Sequence, residues 1–278
     1  ETGLHRRLHL GTQDELGELA DTFDAMLDRL EAAFDRQRQF TADASHELRT
    51  PLTIVSLEAD HALARRRPVE EYERALGVIK SENEYMTHLV NDLLTLARMD
   101  AGQTQLKLET LDLSDVALDV VERLSGLARR DRVELVTGEL QQVTLQGDRQ
   151  YLSQMLTNLI ENAIKYAGSV DPSGGSSHHV WVDTGACETG NPPYGWVKVV
   201  DDGPGIPEED LPHVFDRFYR VDKARARGGA DASEGEKGPE GSGLGLSIVN
   251  WIVQAHHGEV QVRSQPGQGA TFEIHLPL

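Results

Sequence analysis

The sequence predicts an α+β protein in two parts: a long helical hairpin that dimerises into a four-helix bundle, and a following α/β sandwich. Three observations predict it. Apolar residues recur at alternating steps of three and four over roughly the first hundred positions. A break at Arg65-Arg66-Arg67-Pro68 divides that stretch in two. After Ala101-Gly102 helical and alternating patterns mix without a strict strand-helix-strand repeat.

The first helix is predicted over 14–66. Its seam runs Leu16, Leu19, Phe23, Met26, Leu30, Ala33, polar Gln37, Phe40 and Ala44, a heptad pattern. From Ala44 the seam steps by four through Leu48 and Leu52 before Val55 and Ala59. Consecutive steps of four make a stutter, which locally unwinds a supercoil. At 1.5 Å per residue such a helix spans ~80 Å, too long to lie buried inside a globular domain. Pro68 suits the first turn of a second helix, which is predicted to continue to about Arg98. Its seam is Tyr72, Leu76, Ile79, Asn83, Met86, Val90, Leu93 and Ala97. Two antiparallel helices with one apolar stripe each cannot close a core alone; a second copy of the chain completes it as a four-helix bundle.

In the second part, Leu106, Leu108 and Leu111 read as a strand, 114–130 as a helix, 132–136 as a strand and 149–167 as a helix. Strands follow at 179–184 and 195–201. The stretch between them carries Asn191-Pro192-Pro193 and, with Pro172, Gly174 and Gly175 before it, makes 168–196 a turn-rich surface loop or long hairpin. Residues 225–243 have almost no apolar content and read as a mobile loop. A helix at 244–256 and strands at 260–263 and 270–275 close the chain.

The composition narrows the function. Over 278 residues, 27 Lys and Arg face 46 Asp and Glu, a net charge of −19. That argues against a protein that neutralises nucleic-acid phosphates, which needs clustered cations. One cysteine makes no intramolecular disulfide and fits a reducing compartment. No apolar run approaches the roughly 18 to 20 residues of a membrane span, so the chain as given reads as soluble. It begins Glu-Thr-Gly, which leads us to expect a portion of something longer.

Four motifs carry chemistry. In Ser45-His-Glu-Leu-Arg-Thr-Pro51, His46 and Thr50 lie on the outward face of the helix. A neutral imidazole is a nucleophile whose nitrogen can carry a phosphoryl group, and the adjacent Glu47 could take a proton. Pro51 removes the bond its N–H would have made to the Glu47 carbonyl, leaving a weak point beside the histidine. In Asn158-Leu-Ile-Glu-Asn162-Ala-Ile-Lys165-Tyr166, the two amides and Lys165 share one helical face. Amide oxygens suit Mg²⁺, and lysine holds phosphate. Asp201-Asp-Gly203-Pro-Gly205 follows an apolar strand; a carboxylate there can accept from an exocyclic amine, with glycines letting backbone approach a flat ligand. Gly241-Ser-Gly243-Leu244-Gly245-Leu246 runs into a helix whose first N–H groups can bind phosphate, without Rossmann or P-loop spacing. Each motif alone has an ordinary reading too: a surface histidine, a polar helix face, an Asp-Gly-Pro-Gly turn, a glycine loop.

Together with Phe215-Asp-Arg-Phe-Tyr-Arg220, these motifs stand in one order along nearly the whole chain. The set resembles the H, N, first glycine, F and second glycine boxes of the sensor histidine kinases of two-component systems. Asp14-Glu-Leu-Gly-Glu-Leu-Ala further resembles the start of the second helix of a HAMP linker. The resemblance implies three segments: 1–37, the end of a HAMP linker and a signalling helix; 38–102, a dimerisation and histidine phosphotransfer domain; 103–278, an ATP-binding sandwich of the histidine kinase, gyrase and MutL type. It implies His46 as phosphoacceptor, Glu47 as its base and Thr50 as the residue that orients water when the regulator is dephosphorylated. It implies Asn162 as the Mg²⁺ ligand with Asn158 beside it, and Lys165 and Tyr166 on phosphates or ribose. Asp201 would take the adenine amine, shaped by Gly203 and Gly205. Arg220 would reach the γ-phosphate, and Gly241, Gly243, Leu244 and Gly245 would flank the triphosphate. Residues 225–240 would be the ATP lid. The partners implied are a second copy and a response-regulator receiver domain, without nucleic acid. The full-length protein would sit at the cell membrane through an upstream segment absent from this chain. Two other readings compete: an ATP-hydrolysing conformational machine of the same superfamily using Glu161 as base, and a catalytically inactive dimeric scaffold.

Overall fold

The computed structural model describes residues 15–102, 104–168, 178–189, 192–221 and 241–278. They form two compact units, Glu1–His88 and Leu89–Leu278.

The first unit is the helical hairpin. Helix α1 spans Glu15–Leu63 and runs through Pro51. Helix α2, Val69–Asp100, starts one residue after Pro68, whose carbonyl accepts from the N–H groups of Glu71 and Tyr72. Arg67 staples the turn between them, donating to the His61 carbonyl and to the Glu71 carboxylate. On α2 the buried and half-buried column is Ala75, Ile79, Glu82, Met86, Leu89, Leu93 and Leu96, stepping by four and three. The sequence expectation put Leu76, Asn83, Val90 and Ala97 in that seam; all four are exposed, one position round the helix. On α1 the inner stripe is Ala44, Leu48, Pro51, Val55, Glu58 and Ala62, while Leu52 stays 53% exposed. The inner stripe of one protomer therefore keeps a heptad spacing through the expected stutter, with Pro51 in the place given to Leu52.

The second unit holds the last turns of α2 and the sandwich. Its elements are β1 (Glu109–Asp112), α3 (Leu113–Arg130), β2 (Val133–Leu140), β3 (Thr144–Gly147), α4 (Arg149–Ala167), β4 (His178–Cys187), β5 (Tyr194–Asp201), α5 (Gly245–Ala255), β6 (Glu259–Ser264) and β7 (Ala270–Pro277), with a 3-10 turn at Leu211–His213. Five strands pair in the order β2-β4-β5-β7-β6, with β2 and β4 parallel and the rest antiparallel. Helices α3, α4 and α5 pack on this sheet. β5 alternates, burying Val197, Val199 and Asp201 and leaving Trp196 and Lys198 half-buried on the other face.

Both long helices start on aspartate caps. Asp112 accepts from Ser114 N at 2.9 Å, and Asp148 from Gln150 N at 3.0 Å and Tyr151 N at 3.2 Å. The core centres on α4, where Leu152, Met155, Leu156, Leu159, Ile160 and Ile164 are at most 1% exposed. One expectation needs correction: the strand at 106–111 is shorter, because only Glu109–Asp112 finds a partner, the unpredicted β3. Within the turn-rich stretch the long hairpin is found: β4 extends to Cys187 and pairs antiparallel with β5 from Tyr194 onward. No helix among the described residues is long and apolar enough to cross a membrane.

Candidate functional site

In the hairpin, His46 and Thr50 lie on exposed turns of α1, as expected. Thr50 Oγ1 donates at 3.5 Å to the His46 carbonyl. Glu47 is half-buried, on the flank between that face and the inner stripe. Its Oε2 accepts from the Tyr85 hydroxyl of α2 at 3.2 Å.

In the second unit, the remaining predicted residues gather where α4 faces the start of α5. Asn158 Nδ2 donates to the Gly245 carbonyl at 3.2 Å. A Cβ at Gly245 would lie 3.8 Å from both the Asn158 side chain and Asn162 Nδ2. One turn on, a Cβ at Gly241 would lie 2.5 Å from Lys165 Nζ, and Arg220 Nη1 donates to the Gly241 carbonyl at 3.1 Å. Two cations thus reach the same glycine from different elements. Lys165 Nζ also lies 5.0 Å from the centre of the Tyr166 ring. Leu244 is fully buried, so only its backbone can face a ligand, and its N–H is bonded to Ser242 Oγ at 3.2 Å.

Gly243 has a φ of +71°, and a Cβ there would lie 2.8 Å from the Phe218 backbone. Phe218 itself adopts a φ of +61° and donates its N–H to the Gly243 carbonyl at 2.9 Å. That left-handed conformation is costly for a bulky residue, so the F-box loop is locked to the glycine loop at the expense of local strain. Arg217 and Ser242 of the same two loops reach the end of α2, Arg217 binding both oxygens of Asp100 at 2.7 and 2.6 Å and Ser242 Oγ lying 3.3 Å from Asp92.

Asp201 closes the site at the end of β5. It is 6% exposed, and Oδ1 accepts from Gly203 N at 2.9 Å and Ala270 N at 3.3 Å. Burial pushes its carboxyl up to about 6, against those two donors. Gly203 packs on the last turn of α4, where a Cβ would come within 3.3 Å of the Tyr166 and Ala167 backbone. Gly205, at a φ of +71°, turns the chain against Gln265. The sequence marks Ala270 only as the start of a strand and not as a partner of Asp201; the Gly267-Gln-Gly269 turn before it is the available signal. His256, also missed, is a buried structural group: Asp148 N donates to its Nε2 at 3.0 Å, and its Nδ1–H reaches the Ile252 carbonyl at 2.8 Å. Glu161 is exposed. The expected lid at 225–240 lies outside the described residues.

This arrangement defines a class: an exposed histidine on a helical hairpin, joined to a nucleotide-binding α/β sandwich. The family model described as histidine kinase-, DNA gyrase B- and HSP90-like ATPase matches residues 147–278. That of the His Kinase A phospho-acceptor domain matches 36–102, and that of the HAMP domain 2–32. The chain belongs to the sensor histidine kinases of two-component systems. It is 37% identical to sensor histidine kinase YkoH of Bacillus subtilis (strain 168), over 95% of this chain and 52% of that protein. It is also 37% identical to sensor histidine kinase CusS of Escherichia coli (strain K12), over 95% of this chain and 50% of that one. The crystal structure of full-length ShkA in complex with AMPPNP matches with a TM-score of 0.59 at 26% identity, covering 86% of this chain and 45% of that one. The chain spans about half the length of the curated relatives it matches.

Proposed function

We propose that this chain is the kinase portion of a membrane sensor, which transfers the γ-phosphoryl group of ATP to His46 and then to an aspartate of a response-regulator receiver domain. The observation that carries the reading is His46 itself, exposed on a helix that the phospho-acceptor family model covers, with a carboxylate beside it. The ATPase family match and the AMPPNP-bound ShkA structure support ATP as the donor.

In the proposed step a ring nitrogen of neutral His46 forms a bond to the γ-phosphorus as the bond from that phosphorus to the bridging oxygen breaks. ADP leaves, and the proton on the other ring nitrogen passes to Glu47. Such a transfer needs in-line positioning and charge neutralisation more than covalent help from the protein. Lys165 and Arg220 supply positive charge beside Gly241 in a protein of net charge −19. Asp201, ionised above about pH 6, accepts from the adenine amine, with Gly203 and Gly205 setting the loop around it. Tyr166 contacts ribose or phosphate, and the 241–245 loop flanks the triphosphate. Asn162, with Asn158 beside it, offers a hard oxygen that fits Mg²⁺. Among the described residues no group of three or more His, Cys, Asp or Glu could hold a metal, so the ion would take most of its ligands from phosphates and water. When bound, it neutralises phosphate charge.

We assign 1–37 to the HAMP end and signalling helix, 38–102 to dimerisation and phosphotransfer, and 103–278 to ATP binding. The exposed Leu76, Asn83, Val90 and Ala97 column supports a homodimer through the hairpin. The HAMP match supports a place at the cell membrane for the full-length protein, through a segment outside this chain. Glu47-x-x-Thr50 supports phosphatase activity toward the regulator: Thr50→Ala is expected to lower dephosphorylation while autophosphorylation survives, and an equal loss of both removes Thr50 from that role. An ATP-driven conformational machine has no use for a phospho-acceptor domain. Incubation with Mg²⁺ and γ-labelled ATP is expected to give an acid-labile, alkali-stable label; no label, or label that persists in His46→Ala, overturns the kinase reading.

A further inference from the structure

Across the hairpin from the acceptor turn, Tyr85 donates its hydroxyl hydrogen to Glu47 Oε2 at 3.2 Å, a contact between residues 38 apart in sequence. Both side chains are half-buried, whereas His46 next to Glu47 is exposed. Glutamate is a long side chain with several rotatable bonds, and a carboxylate that must meet a proton on the neighbouring ring gains from being held in one orientation. A hydroxyl donating to one carboxylate oxygen fixes the direction of the other. The phenol comes from α2, so it also makes the carboxylate's orientation depend on how the two helices of the hairpin are set against each other.

We propose that Tyr85 is a positioning residue for the phosphoacceptor step, holding Glu47 across the hairpin so that its carboxylate is oriented toward the proton of His46. This rests on the reading of Glu47 as the base. It makes the α2 helix a participant in the chemistry of α1.

The test is a cycle of Tyr85→Phe, Glu47→Gln and the double variant in the 278-residue chain, read by autophosphorylation kinetics. Tyr85→Phe keeps the ring and its packing, and its unfolding midpoint should match the parent. Its kcat is expected to fall roughly three- to tenfold with KM for ATP unchanged. Glu47→Gln should lose more, and in that background Tyr85→Phe should cost nothing further. An unchanged kcat in Tyr85→Phe beside an impaired Glu47→Gln overturns the positioning role and leaves the base in place. An equal loss from Tyr85→Phe with and without Glu47 overturns it too, because the tyrosine then acts through packing. A Glu47→Gln variant as fast as the parent removes the base, and the proposal with it.

Discussion

On α2 of the hairpin, Leu76 is 64% and Val90 41% exposed, one column of a helix left in solvent; on the inner face of α4 in the sandwich, no large apolar side chain exceeds 1%. Both helices carry apolar residues at helical spacing, and both are over four turns long. The difference lies in what supplies the other wall of the core. α4 is enclosed by α3, α5 and the sheet of its own chain. On α2 the column Ala75, Ile79 and Met86 is buried or half-buried, while the next column stands exposed for whatever completes the bundle. An apolar pattern therefore states that a face is to be buried without stating by which chain.

That contrast can be broken from either side. The largest effect is expected on the hairpin: Leu76→Asp with Val90→Asp puts charges into a two-fold interface twice over, weakening the dimer by roughly a thousandfold or more. Sedimentation should show monomers whose sandwich still melts at the parent temperature; an unmoved dimer would place the interface elsewhere. From the other side, Ile160→Ala opens a cavity in a core closed by one chain and should cost about 3 kcal/mol. The loss should appear in urea unfolding of the sandwich and leave the association constant untouched.

Smaller effects sharpen the picture within the sandwich. Asp201→Asn should weaken ATP binding about tenfold by calorimetry at neutral pH without lowering the unfolding midpoint. The sign follows from its raised carboxyl: its contribution to stability is fully present below the ordinary carboxylate range and lost as pH rises through about 6, so the ionised form at pH 7.5 is held against the fold's preference. By the same value, ATP affinity of the parent should drop as pH falls through 6. The smallest effect concerns His256, whose imidazole burial holds below its ordinary value. Its contribution is full above about pH 6.5 and is lost as pH falls toward the lower folded value. The parent should therefore lose more stability between pH 7.5 and 5.5 than His256→Gln does.

The sequence was most legible where a pattern is local. α4 is legible at 149–167 from its period alone, and the structure gives the reason for its ends: Asp148 caps the start and Gly168 the finish. The chemistry of Asn158, Asn162 and Lys165 on one face followed from the same period. It was less legible where partners are remote. β3 is four residues long, with only Leu145 among its alternating positions as an apolar cue, and exists because β1 pairs with it. Asp201 finds Ala270 N 69 residues away, and Glu47 finds Tyr85 across a hairpin. The expected α2 seam divides between two adjacent columns, with Ile79, Met86 and Leu93 in the buried or half-buried one and Leu76, Asn83, Val90 and Ala97 in the exposed one, because heptad spacing fits both and only packing chooses between them.

The link from His256 to the amide of Asp148 joins the C-terminal end of α5 to the N-terminal end of α4, while Asn158 meets Gly245 at the other end of the pair. The two helices are therefore tied at two points, one at Asp148 and one at the mouth between Asn158 and Gly245, some ten residues, about 15 Å, apart. In hydrogen exchange, the Asp148 amide should keep one slow rate with or without nucleotide, and the first amides of α5 should slow when ATP fills the mouth.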